Sequence, residues 1–147
     1  MKRYSDQISL WYNSKNSDSE YRFKSSGFLQ YHGEDKLVLR VCYDLSEYYK
    51  WFIPFCMKYN RPRYPPHITV VRTGIETIQN KDKWKEHEGE KIPFLYDPYL
   101  YIDDTYIWLK AYSNELQKIR MELGLPAMRE RFGEFHITVA NRKNITY

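Results

Sequence analysis

Short apolar runs alternate with polar breaks along the chain, and their periodicity switches between two and a helical repeat. Ile8-Ser9-Leu10-Trp11-Tyr12 is short, apolar and partly alternating, which predicts a strand. A polar, Ser-rich stretch over 13–26 predicts a loop. A short strand is expected over Gly27–Tyr31, then a turn at His32-Gly33-Glu34-Asp35 and a buried, β-branched strand over 36–43. Asp44 or Ser46 then reads as an N-cap. Tyr48, Trp51, Phe52, Phe55, Cys56 and Tyr59 fall on one helical face over 47–59, with Pro54 inside the pattern to kink or shorten it. Arg61 to Pro66 is a stiff, extended approach to a strand over 67–72. The charged stretch 79–91 predicts a surface loop or a short exposed helix. Residues 94–112 predict two strands joined by a turn at Asp103-Asp104-Thr105. Ser113 or Asn114 caps a helix with the stripe Leu116, Ile119, Leu123, stopped by Gly124 and Pro126. A basic loop over 127–133 leads to a last strand over 135–140. The order β-β-β-α-β-β-β-α-β contains a strand–helix–strand unit twice, and predicts an α+β domain with a mainly antiparallel or mixed sheet and helices packed on one side.

At 147 residues the chain is the size of a single domain, spanning 1–147. With 42% hydrophobic and 29% charged residues, the composition is globular. A net charge of +4 suits an anionic ligand but is too small for a long nucleic-acid footprint. No apolar run is long enough for a bilayer, and the N-terminus carries no signal-peptide pattern, so a cytoplasmic protein with no membrane partner is expected. On that reading the sequon at Asn144-Ile145-Thr146 is accidental. Cys42 and Cys56 have no zinc spacing and read as reduced core thiols. The composition is unusual in its 18% aromatic content, with 15 Tyr, since Tyr fills a core but also offers a flat face and a hydroxyl at a binding surface.

The chemistry lies in a repeat. His67-Ile68-Thr69-Val70 and His136-Ile137-Thr138-Val139 are the same tetrapeptide, each in a predicted strand after a helix and a basic loop. Alternation puts His67 and Thr69 on one face and Ile68 and Val70 on the other, and the second copy behaves alike. Two such strands side by side would line a groove with two imidazoles and two hydroxyls. One neutral imidazole can take a proton from an attacking hydroxyl, while the other, protonated, gives one to a leaving oxygen. An ordinary histidine pKa of about 6.5 lets both forms coexist near neutrality. The threonine hydroxyls can donate to phosphate oxygens as charge builds there. This is phosphodiester chemistry that requires no metal and no cofactor. The motifs also bring no carboxylate or thiol at ligand spacing. His32 and His87, in a turn and a charged stretch, read as surface histidines.

One His-x-Thr strand in each half of a small α+β domain resembles the two-histidine (2H) phosphoesterase superfamily. Its members include RNA-ligase-like proteins, cyclic phosphodiesterases and viral 2′,5′-oligoadenylate-degrading enzymes. The resemblance covers the whole chain and is carried by His67, Thr69, His136 and Thr138. It implies a bilobal, pseudo-symmetric fold of mainly antiparallel sheets around a central cleft, with helices on the outer faces. The short length, the 69-residue separation of the motifs and the aromatic-rich middle are further similar to the phage anti-CBASS phosphodiesterases. Those enzymes degrade the cyclic oligonucleotides with which bacteria signal infection. The resemblance thus implies a cyclic oligonucleotide substrate, action in the host bacterial cytoplasm, and attack by a ribose 2′-hydroxyl on a 3′–5′ linkage. The two motifs are too alike for the sequence to say which His is the base.

For substrate contacts beyond the motifs, a cyclic dinucleotide needs stacking surfaces and cations. Trp11, Tyr12, Trp84, Tyr99, Tyr101, Tyr106 and Trp108 are candidates for stacking, with Tyr12 preferred over Trp11. Arg142, an even six residues after His136, would share the catalytic face if the strand ran that far. Arg61, Arg63, Arg129 and Arg131 precede the motif strands, and Arg72 falls on the opposite face from His67. Two other readings compete: an enzyme acting on linear RNA ends, 2′–5′ linkages or 2′,3′-cyclic phosphates, and a protein that sequesters nucleotides without cleaving them.

Overall fold

A computed structural model describes residues 23–128 and 134–145. The predicted strand at 8–12, with Trp11 and Tyr12, and the loop arginines Arg129 and Arg131 lie outside the described residues. The fold is mixed α+β. Its strands are β1 (Phe23–His32), β2 (Lys36–Arg40), β3 (His67–Val71), β4 (Lys91–Ile102), β5 (Tyr106–Tyr112) and β6 (Phe135–Asn141). Its helices are α1 (Tyr43–Lys50) and α2 (Asn114–Glu122).

The two halves repeat one order, β1-β2-α1-β3 and β4-β5-α2-β6. All neighbouring strands are antiparallel, and the spatial order β1-β2-β3-β6-β5-β4 closes on itself as a barrel. The order reads the same outward from the β3–β6 seam, with β2 matching β5 and β1 matching β4. The halves do not stand apart as two lobes, because β1 and β4 pair over Phe23–Phe28 and Lys91–Tyr96. β1 turns from β4 to β2 near Gly27, where an added Cβ would lie 2.3 Å from the Arg40 carbonyl oxygen. Only glycine lets the strands approach so closely there.

Alternation builds the core. Leu29 and Tyr31, Leu37 and Leu39, Ile68 and Val70, Ile107 and Leu109, and Ile137 and Val139 all face it and are buried. Leu116, Ile119 and Leu123 join the same core from α2. Ser113 caps that helix by accepting from the Leu116 N–H at 3.2 Å, and Gly124 takes the left-handed backbone (φ +83°) that ends it.

α1 departs from its expected form. It starts after Cys42, with no side-chain cap, and ends at Lys50, so the spacing beyond Trp51 is not helical. Neither Asp44 nor Ser46 serves as its cap. Ser46 and Tyr49 of α1 turn inward, as do Ile53 and Met57 beyond its end, whereas Tyr48, Trp51, Phe52 and Phe55 are exposed. Cys42 and Cys56 are exposed free thiols rather than core residues. The charged stretch at 79–91 is a single 3-10 turn, Lys81–Lys83, followed by turns. Trp84 packs edge-on against Tyr31 and donates to the Gly33 carbonyl at 2.8 Å, which makes it structural. His87 is no free surface histidine. Its ring bonds Glu90 through Nδ1 and Glu122 through Nε2. Partial burial works against its charge, but the two carboxylates prevail and raise its pKa. It therefore supports the fold below about pH 6.5, and that support fades as pH rises through the raised folded value.

Arg120 of α2 is fully buried. It donates to Glu76 at 2.6 and 3.0 Å, to the Val70 carbonyl at 2.7 Å and to the Pro126 carbonyl at 2.8 Å. This cation ties α2 to the end of β3 and to the loop beyond it. Removing one partner of such a pair leaves a buried charge uncompensated. Arg120→Met should lower unfolding free energy in urea by about 3–5 kcal/mol, and the added change Glu76→Leu should restore much of it. A loss below about 1 kcal/mol, the range of an exposed pair, would contradict this role.

Candidate active site on the seam between the repeats

β3 and β6 pair with Ile68 opposite Ile137. Antiparallel register then sets His67 opposite Thr138 and Thr69 opposite His136. The isoleucines point into the core with no exposure, so the four motif side chains share the other face, where all are half-buried. His67 and His136 are diagonal neighbours across one strand pair, a relation that typically sets backbones about 7–8 Å apart. The structure thus brings His67, Thr69, His136 and Thr138 together.

Both motif strands carry the same irregularity. The β2 register skips Val70, passing from Thr69 to Val71, and the β5 register skips Val139, passing from Thr138 to Ala140. Val70, Val71, Val139 and Ala140 are all fully buried. A bulge in each strand turns two successive residues inward and reverses the facing of every later residue in it. This explains Arg142. The strand ends at Asn141, and the parity count that would place Arg142 on the motif face fails at the bulge. Its guanidinium donates to the Asp103 carbonyl at 3.2 Å, and its backbone N–H donates to Thr105 at 2.7 Å.

The flanking strands extend the face. Arg40 of β2 lies opposite His67, and Lys110 of β5 lies opposite His136. Trp108 lies opposite Thr138, and Tyr101 of β4 lies opposite Trp108 with the rings stacked at 5.9 Å. Lys110 Nζ sits 4.2 Å from the centre of the Tyr101 ring and 3.5 Å from Glu134. Trp108, Tyr106 and Lys110 line a cleft of about 330 Å³ beside His136, with Asp103 at its wall. Asp103 Oδ1 accepts from the Thr105 and Tyr106 N–H groups, which shapes the β4–β5 turn. Arg63 is exposed on the approach to β3, with its guanidinium 5.7 Å from the centre of the Tyr64 ring. Sequence reasoning missed Arg40 and Lys110. Strand parity could have flagged them only with the pairing known.

His67 has a defined protonation form. Its Nδ1 lies 2.8 Å from the Pro65 carbonyl oxygen, which can only accept, so Nδ1 carries the hydrogen. In the neutral ring Nε2 then holds the lone pair. Burial lowers the His67 pKa from its ordinary value, partly opposed by the Pro65 bond, and the nearby charges of Lys36, Arg40 and His32 push the same way as burial. Near neutrality this imidazole is uncharged and ready to accept a proton. For metal binding, the described residues offer Glu86, His87 and Glu122, whose ligand atoms lie within 4.8 Å of one another, and this group shares no residue with the motif face.

No protein-family model, curated protein or solved structure matches the chain. Among the described residues, no helix is long and apolar enough to cross a membrane.

An NMR titration of the histidine Cε1–H signals, assigned with His67→Gln, should give His67 a midpoint below about 6.5. A midpoint at or above that value would contradict the neutral, Nδ1-protonated form.

Proposed function

We propose that this protein is a phosphodiesterase of the two-histidine type that needs no metal. Its proposed substrates are cyclic di- and oligonucleotides with 3′–5′ linkages. The observation that carries the reading is the register at the seam, Ile68 opposite Ile137, which crosses the two His-Thr pairs on one half-buried face. A single histidine and threonine on a strand would mean little. Two copies facing each other supply a base, an acid and two hydroxyl donors on one face.

In this reading His67 is the base and His136 the acid. Nε2 of His67 takes the proton of a ribose 2′-hydroxyl, and that oxygen attacks the adjacent phosphorus. The bond from phosphorus to O5′ breaks as His136 delivers a proton to the departing oxygen. Thr69 and Thr138 donate to the non-bridging oxygens, where negative charge grows. The ring opens to a 2′,3′-cyclic phosphate and a 5′-hydroxyl. Water then opens the cyclic phosphate with the two histidines in exchanged roles, which returns both to their starting forms. The lowered pKa and fixed tautomer of His67 support this assignment of roles. The resemblance to phage anti-CBASS enzymes adds the biological setting: destruction of a bacterial infection signal in the host cytoplasm. A net charge of +4 suits a small anion better than a long strand.

The test is incubation in EDTA with 3′,3′-cyclic dinucleotides, cyclic trinucleotides and linear RNA. Cyclic compounds should be cleaved, and His67→Ala or His136→Ala should each lower kcat by about 10²- to 10⁴-fold. Cleavage of linear substrates alone would redirect the reading to RNA ends. Binding without turnover by the unmutated protein would overturn the catalytic reading.

A further inference from the structure

The repeat extends beyond the motifs. Counting outward from the seam, β2 matches β5, and both bulges fall one residue past the threonine. The same count matches Arg40 with Lys110, each directly opposite the histidine of its half. Both are half-buried, on the side of the sheet turned away from the core. Each is also steadied by a neighbour. Arg40 donates to Gln30 at 3.0 Å through one of its five N–H groups, and Lys110 rests over Tyr101 with Glu134 at 3.5 Å. Arg40 acts electrostatically on the His67 ring. Lys110 lines the cleft that His136 also lines.

We infer that Arg40 and Lys110 are the anion-binding residues of the site, two cationic cradles flanking the His-Thr face, of which one holds the phosphodiester between the histidines and the other the second phosphodiester of a cyclic substrate. This deepens the proposed function and rests on that reading for the nature of the ligand. Two cradles select a compound with two phosphodiesters over one with a single phosphodiester. Neither cation moves a proton in the reaction. Each holds a non-bridging oxygen of the phosphate on its side of the face, so each governs binding. The guanidinium can take two oxygens in parallel, whereas the ammonium acts as a point charge beside the stacked Tyr101 and Trp108 rings.

The test uses the full chain and two ligands that lack the attacking hydroxyl and cannot turn over. One is a 2′-deoxy 3′,3′-cyclic dinucleotide with two phosphodiesters, and the other is the linear 2′-deoxy dinucleoside monophosphate with one. Dissociation constants are measured by calorimetry across a salt series for the unmutated protein, Arg40→Gln, Lys110→Gln, the double variant and the conservative Arg40→Lys. The unmutated protein should bind the cyclic ligand more tightly. Each single variant should lose about tenfold to a hundredfold toward it, and the slope of log affinity against log salt should shrink by about one. The double variant should lose both slopes, and Arg40→Lys should restore the charge-dependent part. Toward the linear ligand, no more than one single variant should show a loss. Unchanged salt slopes in both single variants would overturn the cradles, even if the ribonucleotide is cleaved. Binding with the expected slopes, but no cleavage of the ribonucleotide form, would keep the cradles and overturn the catalytic reading. Failure to bind either ligand would overturn both.

Discussion

The pairing of β3 with β6 at Ile68 and Ile137 is the constraint on which the site depends. A shift of one residue along that seam would turn one motif into the core and expose its isoleucine and valine. The register is held because the apolar undersides of both strands are fully buried, so a slip would strand imidazole and hydroxyl groups among aliphatic side chains. The hydrophobic pattern of the motif thus fixes the geometry of its polar face. Ile and Val on one side and His and Thr on the other are two halves of one device.

The surroundings add rigidity to that seam. Arg120 reaches the Val70 carbonyl at the β3 bulge from α2, so a helix of the second half helps to anchor the motif strand of the first. α1 in turn lies against β6, so each helix meets the motif strand of the opposite half. The bulges at Val70 and Val139 end the usable stretch of each motif strand after its threonine. His67 is then tuned by its setting. Partial burial and three basic neighbours disfavour its charged form, and a carbonyl chosen by the stiff Tyr64-Pro65-Pro66 approach fixes its tautomer. Nothing comparable distinguishes the histidines at the level of sequence, where the two tetrapeptides are identical.

The features legible in the sequence were those with local causes. The strands expected at 67–72 and 135–140, found at His67–Val71 and Phe135–Asn141, the turn at Asp103 to Thr105 and the Ser113-capped helix with its Leu116, Ile119, Leu123 stripe follow from alternation and capping. The errors arose where distant contacts decide. α1 stops at Lys50, so a stripe counted on to Tyr59 mixed helical and non-helical positions, and Tyr49, Ile53 and Met57 took the core instead. Closure of the barrel through β1 and β4 joins the two expected lobes, and depends on strand pairing near Gly27 that no local pattern announces. Arg142 lies past a bulge at Val139 that no local pattern announces. Arg40 and Lys110 carry no local signal because their histidine neighbours in space lie 27 and 26 residues away along the chain.

The central claim is that both repeats act on one phosphorus atom. A crystal structure with a nucleoside 2′,3′-cyclic vanadate, a five-coordinate mimic of the transition state, tests it most directly. The account predicts vanadium between His67 Nε2 and the His136 ring, with Thr69 and Thr138 hydroxyls on its equatorial oxygens. Vanadate held by one motif alone, or bound away from the seam, would contradict it.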